Sequence, residues 1–166
     1  KRIALTFDDG FADFYHNAFP ILKEYGYQAT VYLVSDRIGG INTWDAHKLN
    51  AEKPLMNWQM INELKQSGIT FGSHTRTHPF LTELSAHEAA EEIAGSKAAL
   101  EDQLGCSVNH FCYPSGNYND NIVELVKKAG YRTATVTAQG YIQPGDDPFN
   151  LKRLFIKYRT YPPSFL

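Results

Sequence analysis

The sequence predicts an α/β fold organised around a mainly parallel sheet, open or barrel-like. Two observations carry that reading. Short runs of strand-forming residues alternate with helix-period segments along all 166 residues, as repeated βαβ units do. The residues able to do chemistry fall just after strand-like runs, at what would be the C-terminal rim of the sheet, where such folds gather their active sites.

Arg2 to Phe7 reads as a short buried strand ending at Asp8-Asp9-Gly10. Asp13 to Tyr25 follows, with Phe14, Ala18, Ile21, Leu22 and Tyr25 at helical spacing. Pro20 inside that pattern predicts a break or kink, and Gly26 a stop. Ala29 to Val34 is made almost entirely of strand formers. Ser35 to Pro54 is irregular and carries Gly39-Gly40, Trp44, Asp45 and His47; long loops in compact domains are often functional. Asn57 is placed to cap a helix through Lys65, ended by Gly68. Ile69 to Gly72 is a third strand.

Ser85 and Glu88 have capping-box spacing; the helix they start runs to about Leu104, with Gly105 as its stop. Val108 to Tyr113 is a fourth strand, followed by the loop Pro114-Ser115-Gly116-Asn117-Tyr118. Asn121 to Ala129 is a helix stopped by Gly130, Tyr131 to Val136 a fifth strand, and Leu151 to Tyr158 a last one after a loop rich in Gly, Pro and Asp. No repeat or linker divides the chain, so residues 1–166 read as one domain.

The composition is that of an ordinary globular protein, 43% hydrophobic and 20% charged. The net charge of -2 is interspersed, giving no electrostatic reason to expect nucleic acid or an anionic membrane as partner. No apolar run reaches membrane-spanning length. The chain opens on a strand-like segment with no signal peptide; a mature or trimmed domain would open the same way, so the compartment is not fixed by this. Cys106 and Cys112 match no common zinc spacing and read as two buried thiols rather than a disulfide. Ten Tyr, ten Phe and two Trp belong mostly to the core, with some suited to stacking on sugar rings.

Two motifs carry the chemistry. Asp8 and Asp9 are adjacent, so in an extended chain their side chains point to opposite sides. Gly10 makes Asp-Asp-Gly good turn chemistry as well, and a tight turn would fix both carboxylates. His74 and His78 stand four apart, a spacing that on one turn of helix puts both imidazoles on one face. One carboxylate and two imidazoles hold a catalytic divalent metal with positions left open. A second carboxylate beside them is a ready general base. A His-x-x-x-His pair alone is equally at home in a polar loop; its position after a strand, with carboxylates at another strand end, favours metal-assisted hydrolysis.

Thr6-Phe7-Asp8-Asp9-Gly10 and Ser73-His74-Thr75-Arg76-Thr77-His78-Pro79 resemble the first two motifs of the polysaccharide deacetylases with NodB homology, carbohydrate esterase family 4. Phe111-Cys112-Tyr113-Pro114-Ser115-Gly116 resembles the Phe-x-Tyr-Pro-x-Gly variant of the third. The resemblance implies a single-domain distorted (β/α) barrel of the NodB type. It implies Asp8 as catalytic base and Asp9, His74 and His78 as ligands of Zn²⁺, or of another divalent transition metal such as Co²⁺ or Ni²⁺. It implies removal of N-acetyl or O-acetyl groups from a carbohydrate, with a metal-activated water as nucleophile and the backbone N–H of Ser115 at the oxyanion.

The chain departs from the familiar third motif, which carries an arginine where Cys112 stands. Arg153, on the last strand and alternating with Leu154, is the candidate to supply that charge beside Asp8; a solvated surface arginine is the competing reading. The family's late Leu-x-His strand is also missing, since no histidine follows His110. His110 is in register with Cys112 and reads as a strand histidine. Tyr113, Pro114, Tyr118 and Trp44 are candidate substrate contacts, with Asp45 and Tyr141 beside them; Trp58 sits at helical spacing with Ile61 and reads as core. The expected partner is an acetylated glycan: chitin-like, peptidoglycan, poly-N-acetylglucosamine or xylan. The family implies a secreted or cell-surface setting. Two other readings compete: a catalytically weak or inactive carbohydrate-binding domain of the same fold, and a non-haem iron oxygenase built on the same two-His, one-carboxylate set. The first has no need of a metal site, and the second usually sits on a β-sandwich-like fold.

Overall fold

A computed structural model describes residues 3–45 and 52–156; His47 and Tyr158 lie outside them. Six strands, β1 (Leu5–Phe7), β2 (Ala29–Leu33), β3 (Thr70–Ser73), β4 (His110–Cys112), β5 (Thr133–Gln139) and β6 (Leu151–Arg153), form one sheet in sequence order. Every neighbouring pair is parallel. Four described helices, α1 (Phe19–Glu24), α2 (Trp58–Gln66), α3 (Ala86–Leu104) and α4 (Asp120–Lys128), make the first four crossovers. A loop alone joins β5 to β6. The sheet curves into a half-barrel, so that Arg153 on β6 reaches Thr6 on β1 although β1 and β6 do not pair.

The elements agree with the sequence in kind and differ at their ends. Pro20 does not kink a helix; it lies in the first turn of α1, where a missing N–H costs nothing. The residues before it, Phe14–Ala18, form a wider π-type turn closed from Phe19 N–H to Phe14 O. Asn57 caps α2, its side chain accepting from Met60 N at 2.9 Å. Ser85 and Glu88 make a reciprocal capping box on α3, which Gly105 ends in a left-handed conformation. Asn119 caps α4, two residues before the start read from the apolar pattern.

Strands read as six to eight residues long are mostly three to five, because an apolar run continues past the residues that find a ladder partner. Between β3 and β4 the ladder narrows to Ser73 opposite Phe111. Gly72 adjoins that point: a Cβ there would lie 2.5 Å from the Tyr32 ring and 2.8 Å from His110 O, so only glycine lets the ring lie against β3.

The core between sheet and helices contains Val31, Phe71 and Phe111 from strands, with Ile61, Ile93 and Val126 from α2, α3 and α4, all nearly or wholly buried. Tyr32 and Cys112 are just as buried at alternate strand positions, as expected for parallel strands covered on both faces. Trp58 packs half-buried against this core. Of the two cysteines expected to be buried, only Cys112 is; Cys106 is exposed, just past the end of α3, and both are free. No described helix is long and apolar enough to cross a membrane.

Candidate active site

The site grows from the ends of β1, β3, β4 and β6. After β1 the chain turns at once, Gly10 N–H donating to Asp8 O at 2.9 Å. Asp9 and Gly10 both take left-handed backbone, φ 71° and 75°, which Asp tolerates better than most residues. This turn separates two carboxylates adjacent in sequence. Asp9 faces the histidines and Asp8 faces Arg153.

After β3, His74 is tied to the sheet by its N–H to Leu33 O at 2.8 Å. His74 and His78 do not share a turn of helix, as their spacing suggests. They sit in a loop in which Thr75 and His78 are left-handed, each with φ 68°, and two such residues bring the imidazoles together at the same separation. Thr75 Oγ1 donates to His74 O and accepts from His78 N–H. Glu92 on α3 holds the next part of the loop, accepting from Arg76 N, Thr77 N and Thr77 Oγ1 at 2.8 to 2.9 Å. Among the described residues four non-glycines have positive φ: Asp9, Thr75, His78 and Ser115. All four belong to this site. Strain of about 1–3 kcal/mol per residue persists only where the surroundings enforce it, and it clusters at functional sites.

Asp9 Oδ1 lies 3.3 Å from His74 Nε2 and 3.5 Å from His78 Nε2. Ligands about 2.0–2.1 Å from a tetrahedral zinc ion stand about 3.3–3.4 Å apart, so the three donors fit a divalent transition metal. His74 Nδ1 lies 2.7 Å from Cys112 O; donation to that carbonyl reserves Nε2, on the Asp9 side, as the nitrogen for a metal. Burial and the charge on His74 push His78 down to about 4, so its ring is neutral at ordinary pH. Burial works against a proton on His74, but Cys112 and Asp9 outweigh it and raise its pKa. Donor atoms of Asp8, His74 and Cys112 also cluster within 4.8 Å. Asp8, however, is already clasped by a cation, which leaves Asp9, His74 and His78 as the better ligand set.

That cation is Arg153. Its Nη1 donates to Asp8 Oδ1 at 2.6 Å and its Nη2 to Oδ2 at 2.8 Å, while Nε donates to Val136 O and Nη1 also to Thr6 Oγ1, both at 3.2 Å. Arg153 is therefore no solvated surface residue; its side chain keeps only 12% of its exposure. Cys112 Sγ lies 3.3 Å from Nη2 and 3.6 Å from Asp8 Oδ2. Burial tends to raise the Asp8 pKa, but the Arg153 hydrogen bonds and the charges of His74 and Arg153 outweigh it and hold the carboxyl below its usual range.

The remaining expected site residues divide. Ser115 stands at the rim, exposed, with φ 55°. Tyr113 and Pro114 are interior, with Tyr113 Oη donating to Phe149 O. As side chains they cannot touch a substrate, because the backbone after β4 turns them into the core. Tyr118 stacks on Tyr113 at 4.8 Å and donates to Asn150 Oδ1, so one of its faces is already taken. Trp44 stacks on His78 at 4.5 Å. Tyr141 is well exposed. His110 bonds Thr133 Oγ1 at 2.8 Å, a strand histidine as read. Glu92, Thr75 and Thr6 are not singled out from sequence: Glu92 and Thr6 act across separations of 15 to 16 and of 147 residues, while Thr75 acts on its neighbours His74 and His78 through a loop conformation that no residue pattern announces.

The sequence from residue 1 to 134 matches the family model for polysaccharide deacetylases. The chain is 30% identical over 154 residues to YxkH of Bacillus subtilis, covering 93% of this chain and 51% of that protein. It is 27% identical over 165 residues to the poly-β-1,6-N-acetyl-D-glucosamine N-deacetylase of Staphylococcus epidermidis, covering 94% of this chain and 55% of that one. The chain thus spans about half the length of these curated relatives. Among solved structures, the Streptococcus pyogenes deacetylase PplD in complex with acetate superposes with a TM-score of 0.84 at 30% identity, covering 97% of this chain and 67% of that one.

Proposed function

Since the chain belongs to the polysaccharide deacetylase family, we propose that it is a metal-dependent hydrolase that removes N-acetyl groups from a glucosamine-containing glycan. The observation that carries this reading is the division of labour in the Asp8-Asp9 turn. Asp9 joins two imidazoles at metal-ligand spacing, while Asp8 beside them is held ionised by Arg153. A domain that only bound sugar would have no use for either arrangement.

Asp9, His74 and His78 would hold a divalent cation such as Zn²⁺, Co²⁺ or Ni²⁺. When bound, that cation supplies Lewis-acid activation of a water and of the acetyl carbonyl. Asp8 is the base. Its oxygens are engaged by Arg153, but an ionised carboxylate has about four lone-pair sites, so it can still accept the proton of the attacking water. The N–H of Ser115 is the donor for the oxyanion, a role set by backbone and not by side chain. Protonated Asp8 then returns its proton to the departing amine, and acetate leaves. Arg153 acts through Asp8: it donates to both carboxylate oxygens, orients them and keeps them ionised between turnovers.

The names of the staphylococcal relatives favour a β-1,6-linked N-acetylglucosamine polymer over chitin-like chains, peptidoglycan or acetylated xylan. A polymeric substrate of this kind favours a secreted or cell-surface setting for the reaction. The test is acetate release from oligomers of each class, after chelation and again after adding back Zn²⁺ or Co²⁺. Release from the β-1,6 oligomer that is lost on chelation and regained with metal is the expected result. Release from xylan alone would move the activity to O-acetyl esters. Glycan binding with no release under any condition would leave a binding domain instead.

A further inference from the structure

We propose that Trp44 is a positioning residue of the metal centre. Its indole face fixes the plane of the His78 ring and stabilises the positive charge that ring acquires when Nε2 donates to a cation. The inference rests on the metal reading given above.

The two candidate imidazole ligands are held by different means. His74 is fixed by the contact of its Nδ1 with Cys112 O, the usual way a ligating histidine is oriented. The His78 ring lies flat against Trp44, centroids 4.5 Å apart and planes 16° apart. The His78 ring also meets His74 edge-on, at 4.9 Å and 72°, and the charges of Asp9 and Asp45 act on it. Indole has the most electron-rich face among protein side chains, and a ring gaining positive character is attracted to it. A nearly parallel stack also removes the ring rotation that would carry Nε2 away from Asp9.

Trp44 is brought there by a clamped loop. Two residues earlier, wholly buried Asn42 donates its N–H to Lys53 O at 3.1 Å and accepts from Lys53 N–H at 2.7 Å. Ile41 bridges Pro54 beside it. The indole N–H is buried with no hydrogen-bond partner among the described residues, whereas a buried Trp N–H usually finds one. What the described residues give this ring is a partner for its face, His78. Loop position alone suggests a sugar platform for Trp44; His78 takes one face of its ring.

The test measures Co²⁺ and Zn²⁺ affinity with a competing chelating dye, for wild type, Trp44→Leu, Trp44→Phe and His78→Ala. Changes to residues that orient metal ligands cost about 10- to 100-fold in affinity. Trp44→Leu should therefore bind at least about tenfold more weakly, while Trp44→Phe, which keeps an aromatic face, should stay within about threefold of wild type. The chain has two tryptophans, so in Trp58→Phe all indole emission comes from Trp44, and Co²⁺ should quench it in proportion to occupancy. Wild-type affinity in Trp44→Leu, with His78→Ala defective, overturns the Trp44 assignment and leaves the metal centre standing. Should Trp44→Leu not fold, unchanged Trp44 emission at saturating Co²⁺ overturns it instead. No cation binding by wild type, or full binding by His78→Ala, overturns the metal reading and this inference with it.

Discussion

Replacing Arg153 with methionine keeps most of the side-chain bulk and removes the clasp on Asp8. Breaking a fully buried ion pair from one side costs about 3–5 kcal/mol, because the other charge stays behind unpaired. The Asp8 side chain keeps 30% of its exposure and that of Arg153 12%, so water takes up part of the loss, and about 2–3 kcal/mol is expected. For a chain of this size each kcal/mol moves Tm by about 2–4 °C, giving a drop of roughly 4–12 °C. The pH dependence separates this from ordinary packing loss. The pKa of Asp8 is held low in the folded protein, so the clasp contributes stability above the unfolded value of about 3.9 and loses it as pH falls through the folded value. Urea melts of chelated wild type and variant should differ fully at neutral pH and converge at the acid end. In the variant burial acts on Asp8 unopposed by Arg153, so the acid limb of kcat/KM should move to higher pH. Equal stability at neutral pH, or a gap unchanged by acid, would refute the reasoning.

Three further outcomes are expected. Asp8→Asn should lose about 10²- to 10⁴-fold in turnover while acetate-release assays run beside metal analysis find its metal content nearly unchanged; near wild-type activity would remove Asp8 from the role of base. Because the pKa of His74 is raised and a ligand imidazole must be neutral, cation binding should release a proton, weakening by up to about tenfold per pH unit toward acid; calorimetry in two buffers of different ionisation enthalpy measures it. Gly72→Ala should destabilise by about 1–3 kcal/mol or more through overpacking, since its Cβ would meet the Tyr32 ring at 2.5 Å; urea denaturation is the check.

Much of the site was legible because its chemistry is local. Asp8-Asp9-Gly10 and the His74–His78 pair announce themselves by residue type and spacing, and alternation on the last strand was enough to nominate Arg153. What misled was conformation. Four-residue spacing looks helical, yet the loop reaches the same juxtaposition with left-handed Thr75 and His78, a backbone choice no periodicity encodes. Tyr113 and Pro114 stand in a motif beside the site, but motif membership does not say which way a side chain turns, and both turn inward. The Trp44–His78 stack joins residues with no pattern linking them. Strand ends were overdrawn for a simpler reason: Val108, Ile69 and Tyr131 are buried, so they read as strand, although the ladder does not include them.

The clasp between Asp8 and Arg153 joins residues 145 positions apart, and this bears on when the proposed active site is complete. Asp8, Asp9, His74 and His78 are all present once the first half of the chain exists. Arg153 arrives with the last described strand, beyond the stretch that matches the family model. At synthesis rates of about 5–20 residues per second, roughly 4–15 s separate His78 from Arg153, and so distant a contact is among the slowest to close. A nascent or truncated chain lacking β6 would own every metal donor and yet carry an untuned base. On the proposed reading, hydrolytic competence is therefore a late property of this fold, acquired when its two outermost described strands are locked together.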